Sequence, residues 1–219
     1  MSVFPPRAIA GQPRSCAGVG PAKACSNHAR VSGLKTESES TGPEYPAHMA
    51  RRINVKGTSG SGKSTFAREL AGRLELPYVE LDALHHGPNW SEPTAEEFRA
   101  RVREAMTPAG WVIDGNYEAK LGETVLAKAD TIVWLDLPLW LKLRRIWKRT
   151  KHRIRNDVEL WNANRETWRN ALWGWDSLFC WMIRAHFRQK REYPRRYGGD
   201  PRFVWLRSVE EAKRWLEHF

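Results

Sequence analysis

The sequence predicts an α/β protein, a parallel sheet covered by helices on both faces, and three observations lead there. Short β-like runs alternate with helical patterns from Arg52 onward, which is the pattern of strands joined by helical crossovers. A glycine-rich turn joins the first of these runs to the first helix. At 219 residues the chain is long enough for one domain with a sizeable core and too short for two generous ones.

Taken in order, Ile53 to Lys56 reads as the first strand, Lys63 to Leu74 as a helix and Tyr78 to Asp82, "YVELD", as the second strand. Thr94 to Met106 reads as a helix that Thr94 and Glu97 open with a capping box. "WVID" and "TIVWLD" follow as strands three and four, and "RFVWL", Arg202 to Leu206, as the fifth. Ser208 and Glu211 cap a closing helix. Pro138 to Arg191 is mostly helical and longer than a simple crossover requires. Its tryptophans from Trp161 to Trp181 read as an aromatic-rich helical insertion packed into the core.

Residues 1 to 48 are rich in Pro, Gly, Ala and Ser, hold no acidic residue before Glu37 and show no hydrophobic period. They read as a disordered leader. Prolines 5, 6, 13 and 21 argue against the amphipathic helix of a transit peptide, and translation is expected to begin at Met49. The folded domain is then 49–219.

The formal charge of +11 is uneven: residues 1–139 balance 16 basic against 16 acidic side chains, while 140–219 hold 20 against 9. A basic half faces polyphosphate ligands, nucleic acid or an acidic surface. Eight of the twelve tryptophans fall between Trp134 and Trp181 among those bases, which gives nucleic-acid stacking a hearing. No run of eighteen apolar residues and no secretory core appear, so a soluble cytoplasmic protein without membrane association is expected. The three cysteines have neither disulfide nor metal spacing.

Gly57, Thr58, Ser59, Gly60, Ser61, Gly62, Lys63 and Ser64 satisfy G-x-x-x-x-G-K-[ST] between a predicted strand and a predicted helix, the context this motif requires. Glycines allow positive φ and let consecutive amides surround a phosphate, while the following helix points its positive end at the same anion. Lys63 would reach the outer phosphates, and Ser64, with Thr65 adjacent, would complete a Mg²⁺ shell. The segment therefore predicts a cradle for ATP.

Asp82, Asp114 and Asp136 each end a predicted strand, where open parallel sheets bind their ligands. Asp82 and Asp114 are candidates to accept a proton and to orient a metal-bound water, whereas Asp136, before Leu137-Pro138, reads as a helix-entry residue. Arg145, Arg149 and Arg153 recur every four residues and share one helix face, which suits a clamp on a transferring phosphoryl group. His85 and His86 lack the companions of a metal site and are expected to line an acceptor pocket.

Together "RINVKGTSGSGKSTFARELA", "WVIDGNY" and "IVWLDLP" with "RRIWKR" resemble the adenylate-kinase-like branch of the P-loop kinases, most closely the small bacterial topology modulation proteins. The resemblance covers about residues 52 to 217. It implies a P-loop NTPase three-layer α/β/α fold, a five-stranded parallel sheet in the order 2-3-1-4-5, and a mobile helical lid at about 140–195. It also implies ATP on Gly57 to Thr65, Mg²⁺ near Asp114 and Ser64, and adenine and phosphate contacts from Arg145 and Arg149. Adenylate kinases follow the strand-three Asp-Gly with Phe-Pro-Arg, where this chain has Asn116-Tyr117-Glu118. "LDALHHGPNW" is instead similar to small-metabolite kinases, in which an aspartate after strand two meets the acceptor.

The expected activity is transfer of the ATP γ-phosphoryl group to an unidentified small-molecule or nucleotide acceptor, with Lys63, Asp82, Asp114, Arg145 and Arg149 as the catalytic set. The alternative is a nucleotide-switched regulator that binds nucleic acid through the basic, Trp-rich C-terminal half.

Overall fold

A computed structural model describes residues 51–174 and 177–219. The reading of residues 1–48 as a leader lies outside the described residues. Five strands, β1 (Arg52–Lys56), β2 (Tyr78–Glu80), β3 (Trp111–Asp114), β4 (Thr131–Leu135) and β5 (Phe203–Leu206), form one sheet in the order β2-β3-β1-β4-β5. Every pairing is parallel. This is the three-layer fold the sequence implied.

The strands are apolar along their length because both faces are covered. Trp111, Ile113, Ile132 and Trp134 point into one layer with Phe98, Val102, Tyr193 and Tyr197. Val112, Val133 and Leu135 point into the other with Phe66, Ala67, Leu70 and Leu216. The first layer is covered by α3 (Ala95–Ala105), α4 (Glu118–Leu121) and the end of α7 (Leu178–Tyr197). The second is covered by α1 (Lys63–Leu74) and α8 (Val209–Leu216). The capping box of α3 forms as predicted: the Glu97 amide donates to Thr94 Oγ1 at 3.2 Å and the Thr94 amide donates to Glu97 Oε2 at 2.8 Å.

Some local expectations are corrected. Asp82 does not end β2: that strand stops at Glu80 and a short helix, α2 (Leu81–His85), takes up Asp82 in its first turn. The stretch after β4 is mostly helical as expected, divided into α5 (Leu139–Arg155), α6 (Trp168–Leu172) and α7, with a 3₁₀ turn at Trp161–Ala163. Its tryptophans are not uniformly buried, since Trp168 and Trp173 are 40% and 83% exposed. Both ends of the 140–195 span belong to the body: Ile146 is fully buried beside Gly60, and Tyr193 lies in the core at the edge of Trp134.

Candidate active site

The turn between β1 and α1 is open at its centre because its glycines hold conformations that other residues avoid. Gly60 (φ 78°) and Gly62 (φ 87°) are left-handed. A Cβ on Gly60 would stand 2.5 Å from the Lys142 carbonyl oxygen and 2.9 Å from Ile146 Cγ1, so α5 packs directly on the loop. Gly62 caps α1 without any side-chain bond, which leaves the first-turn amides facing the hollow. The Thr58 and Ser61 hydroxyl oxygens are buried with no hydrogen-bond partner. A ring of unpaired donors around a glycine turn fits a polyphosphate.

Lys63 crosses the mouth of this hollow. Its ammonium lies 3.0 Å from Asp114 Oδ1 and 3.7 Å from Asp82 Oδ2. Burial alone would lower the Lys63 pKa, but the two carboxylates outweigh it and raise the pKa above its ordinary value. Asp114 is fully buried at the end of β3, in register with Val55 of β1. The Tyr78 hydroxyl donates to Asp114 Oδ2 at 3.2 Å and interacts with the Ser64 hydroxyl, so Ser64 and Asp114 share a neighbour. Burial and Asp114 push the Tyr78 hydroxyl pKa up, which keeps it a donor. Among the described residues no cluster of three or more His, Cys, Asp or Glu is placed to hold a metal. One hydroxyl and one carboxylate suit Mg²⁺, which takes few protein ligands and fills its shell with phosphate oxygens and water.

The arginines of α5 divide by partner. Arg145 Nη1 donates to the Ser61 carbonyl at 3.1 Å, bracing the loop. Arg153 is paired with Glu166 at 2.6 Å. Arg149, between them, is half-buried, has no hydrogen-bond partner at Nε, and feels Asp82 and Glu166 only at a distance. Burial first and Arg153 second lower its pKa, the signature of a cation without a close anion.

Beside α1 lies an apolar cavity of about 270 Å³, walled by Gly62, Thr65, Leu137, Arg145, Val209 and Leu216 among others. Ser61 and Gly62 of the loop form part of its wall. Arg145 lies in its wall together with Val209 and Leu216 of α8, residues far apart in the sequence that leave no local signal of their meeting.

On the Asp82 side, Tyr117 donates its hydroxyl to Asp82 Oδ1 at 2.6 Å. His85 stacks on Tyr117, and His86 stacks on Trp161 and meets the edge of Trp90. Asn164 joins the two loops that carry these rings: its Nδ2 donates to the Gly87 carbonyl at 2.9 Å and its Oδ1 accepts from the Trp90 amide at 2.8 Å. His85, at the end of α2 rather than in a loop, and His86 are thus both brought near the Asp82 carboxylate. Asp136 lies away from Lys63, accepts from the Trp205 indole at 3.3 Å and sits 3.9 Å from Lys142.

Three residues to which the sequence assigned no role in the site are the ones that stand in place of Phe-Pro-Arg. The Asn116 side chain clasps Gly57, accepting from its amide at 3.1 Å and donating to its carbonyl at 2.6 Å. Tyr117 fixes Asp82, and Glu118 pairs with buried Lys56, the residue before the loop. Burial drives the Lys56 pKa down, with Glu118 opposing. Departure from the expected tripeptide marked the positions; only the fold shows that they turn toward the loop and Asp82.

Neither a protein-family model nor a curated protein matches the sequence. Several solved structures are similar in shape. A gluconokinase from Sinorhizobium meliloti shares 20% identity over 77% of this chain and 89% of its own, with a TM-score of 0.46. A shikimate kinase from Bacteroides thetaiotaomicron shares 15% over 76% and 94%, with a TM-score of 0.48. A deoxyadenosine kinase from M. mycoides, solved with bound dATP, shares 14% over 75% and 96%, with a TM-score of 0.44.

Proposed function

We propose that this chain is an ATP-dependent phosphotransferase of the nucleoside-monophosphate-kinase-like class, which moves the γ-phosphoryl group to a small acceptor. The observation that carries the reading is Lys63, held at 3.0 Å from Asp114 and 3.7 Å from Asp82 at the mouth of a glycine cradle with unpaired donors. Gly57 to Thr65 hold the phosphates, Arg145 and the apolar cavity hold the base, and Ser64 with Asp114 hold Mg²⁺. The metal, when bound, neutralises phosphate charge.

The residues of the chain do the rest. Phosphoryl transfer is governed by positioning and by cations aimed at the developing charge. Lys63 and Arg149 supply those cations. Asp82, its Oδ1 fixed by Tyr117, takes the proton of an acceptor hydroxyl through its other oxygen. The segment 156–174 between α5 and α7 forms the lid, reaching the Asp82 pocket through Trp161 and Asn164. The narrower likeness to topology modulation proteins rests on the quoted sequence segments.

A second reading is favoured by one observation. Trp140 and Trp147 are 64% and 46% exposed on α5, a helix without a single acidic residue, and Phe187 is 60% exposed on α7. Exposed rings among bases suit single-stranded nucleic acid. Incubation with γ-labelled ATP and candidate acceptors, beside a control without acceptor, separates the two. Label on a small molecule supports phosphotransfer; hydrolysis without transfer, stimulated by nucleic acid, supports the regulator.

A further inference from the structure

On the Asp82 side of the site, cations available to a charged acceptor already have carboxylates of their own. Lys120 lies 2.7 Å from Glu92 and 2.6 Å from His85 Nε2. Arg153 lies 2.6 Å from Glu166, with side-chain exposures of only 21% and 13%. Arg68, at the edge of the sheet, is taken by Glu80 at 3.0 Å. Glu118, which stands where a monophosphate-binding arginine is expected, pairs with Lys56 instead, and Asn116 is held by Gly57. Among the described cations that interact with Asp82, Lys63 and Arg149 belong to the phosphoryl group in the reading above.

The unsatisfied hydrogen-bonding atoms there are of another kind. His85 is 2% exposed and its Nδ1 has no partner. The Lys120 ammonium beside Nε2 makes that nitrogen the acceptor, so Nδ1 carries the hydrogen. His86 Nδ1 is likewise buried and unpartnered. Burial and Lys120 hold His85 neutral, pushed down to about 4, and burial lowers His86 as well. A ring donor on His85 and an unpartnered ring nitrogen on His86, beside one fixed carboxylate, suit hydroxyl groups, which both donate and accept. A carboxylate or phosphate would have to draw Lys120 or Arg153 out of a pair and leave Glu92 or Glu166 uncompensated.

We infer that the acceptor is an uncharged polyhydroxylated compound, a sugar or a nucleoside, held between Asp82 and the ring nitrogens of His85 and His86. This rests on the phosphotransfer reading and deepens it. The acceptor hydroxyl oxygen bonds to the γ-phosphorus as the bond from that phosphorus to the bridging oxygen breaks. ADP leaves with the electron pair of that bond, and the hydroxyl proton passes to Asp82.

The test uses the full chain with Mg²⁺ and γ-labelled ATP, and a panel in which each neutral sugar or nucleoside is paired with its carboxylated or monophosphorylated counterpart. Binding of a non-hydrolysable ATP analogue is measured in parallel. The expected result is transfer to at least one neutral member, with kcat/KM about tenfold or more above its anionic counterpart. Glu166→Gln, which frees Arg153, should shrink that ratio by about threefold or more through a lower KM for the anionic member. Preference for the anionic members, or bound analogue with no transfer to any neutral member, overturns the acceptor assignment. Failure to bind the analogue overturns the phosphotransfer reading itself.

Discussion

The side-chain amide of Asn116 makes two hydrogen bonds to the backbone of Gly57, so one residue after β3 fixes where the phosphate loop begins. Its neighbour Tyr117 does the same for Asp82, and burial together with Asp82 raises the Tyr117 pKa far enough to keep the hydroxyl a donor. His85 completes this group as a buried, neutral ring. Its folded pKa of about 4 lies below the value of 6.5 for a free imidazole, so the unfolded chain takes up a proton first as pH falls. Its contribution is therefore level above pH 7 and declines from pH 6.5 toward 4. Between pH 7.5 and 5 this histidine should cost the fold about 1 to 2 kcal/mol. Chemical denaturation across that range should show the loss, with a shallower slope in His85→Gln. Equal slopes would mean that the ring is accessible to protons in the folded state. His86 and His186, also lowered by burial, account for the remainder.

At the scale of elements, much was legible. Helix α1 begins and ends where the motif and the apolar period place it, from Lys63 to Leu74. The Thr94 and Glu97 box opens α3, and Ser208 opens α8 by accepting from the Glu211 amide at 3.0 Å. These signals are local, so a sequence displays them. What stayed hidden depends on distant partners. The alternation of "YVELD" continues through Asp82, but Leu81 turns into the core beside Gly115 and the chain coils into α2. The path after Arg155 is set by ring contacts such as Trp147 with Trp168, which no period announces.

Helix α5 packs directly on the glycine turn at Gly60, and two substitutions probe it. Gly60→Ala would place a methyl group 2.5 Å from the Lys142 carbonyl in a left-handed backbone, forcing loop and helix apart. A loss of stability of about 1 to 2 kcal/mol is expected from the backbone alone, visible as a lower denaturation midpoint, together with weaker nucleotide binding. An unaltered midpoint would show that α5 is free to move away. Arg149→Ala should lower kcat by roughly tenfold to a thousandfold while changing ATP affinity far less, since only contacts stronger in the transition state change the chemical step. Arg155→Ala, exposed at the end of the same helix, should be nearly silent. Similar small effects from both would make Arg149 an ordinary solvated side chain.

For the molecule as a whole, the parallel sheet brings the phosphate loop after β1, Asp82 after β2 and Asp114 at the end of β3 to one edge, as open α/β sheets do with their ligands. The basic excess of residues 140–219 is carried largely by α5 and α7, which pack beside that edge. Among the described residues no helix is long and apolar enough to cross a membrane. The charge balance and the motif pointed to phosphate from the sequence; the apolar cavity beside α1 and the ring cluster near Asp82 needed the chain folded, because they are built from residues as far apart as Thr65 and Val209, or His86 and Trp161.

The central claim is that Lys63 serves a transferring phosphoryl group at this edge. Its direct test is the rate of γ-phosphoryl transfer from ATP by the wild type and by Lys63→Ala, at saturating Mg²⁺ and with folding verified by denaturation. Loss of one charge-assisted contact in the transition state costs on the order of 3 kcal/mol, so the variant should be slower by about a hundredfold or more. A variant that transfers phosphate at the wild-type rate would contradict the account.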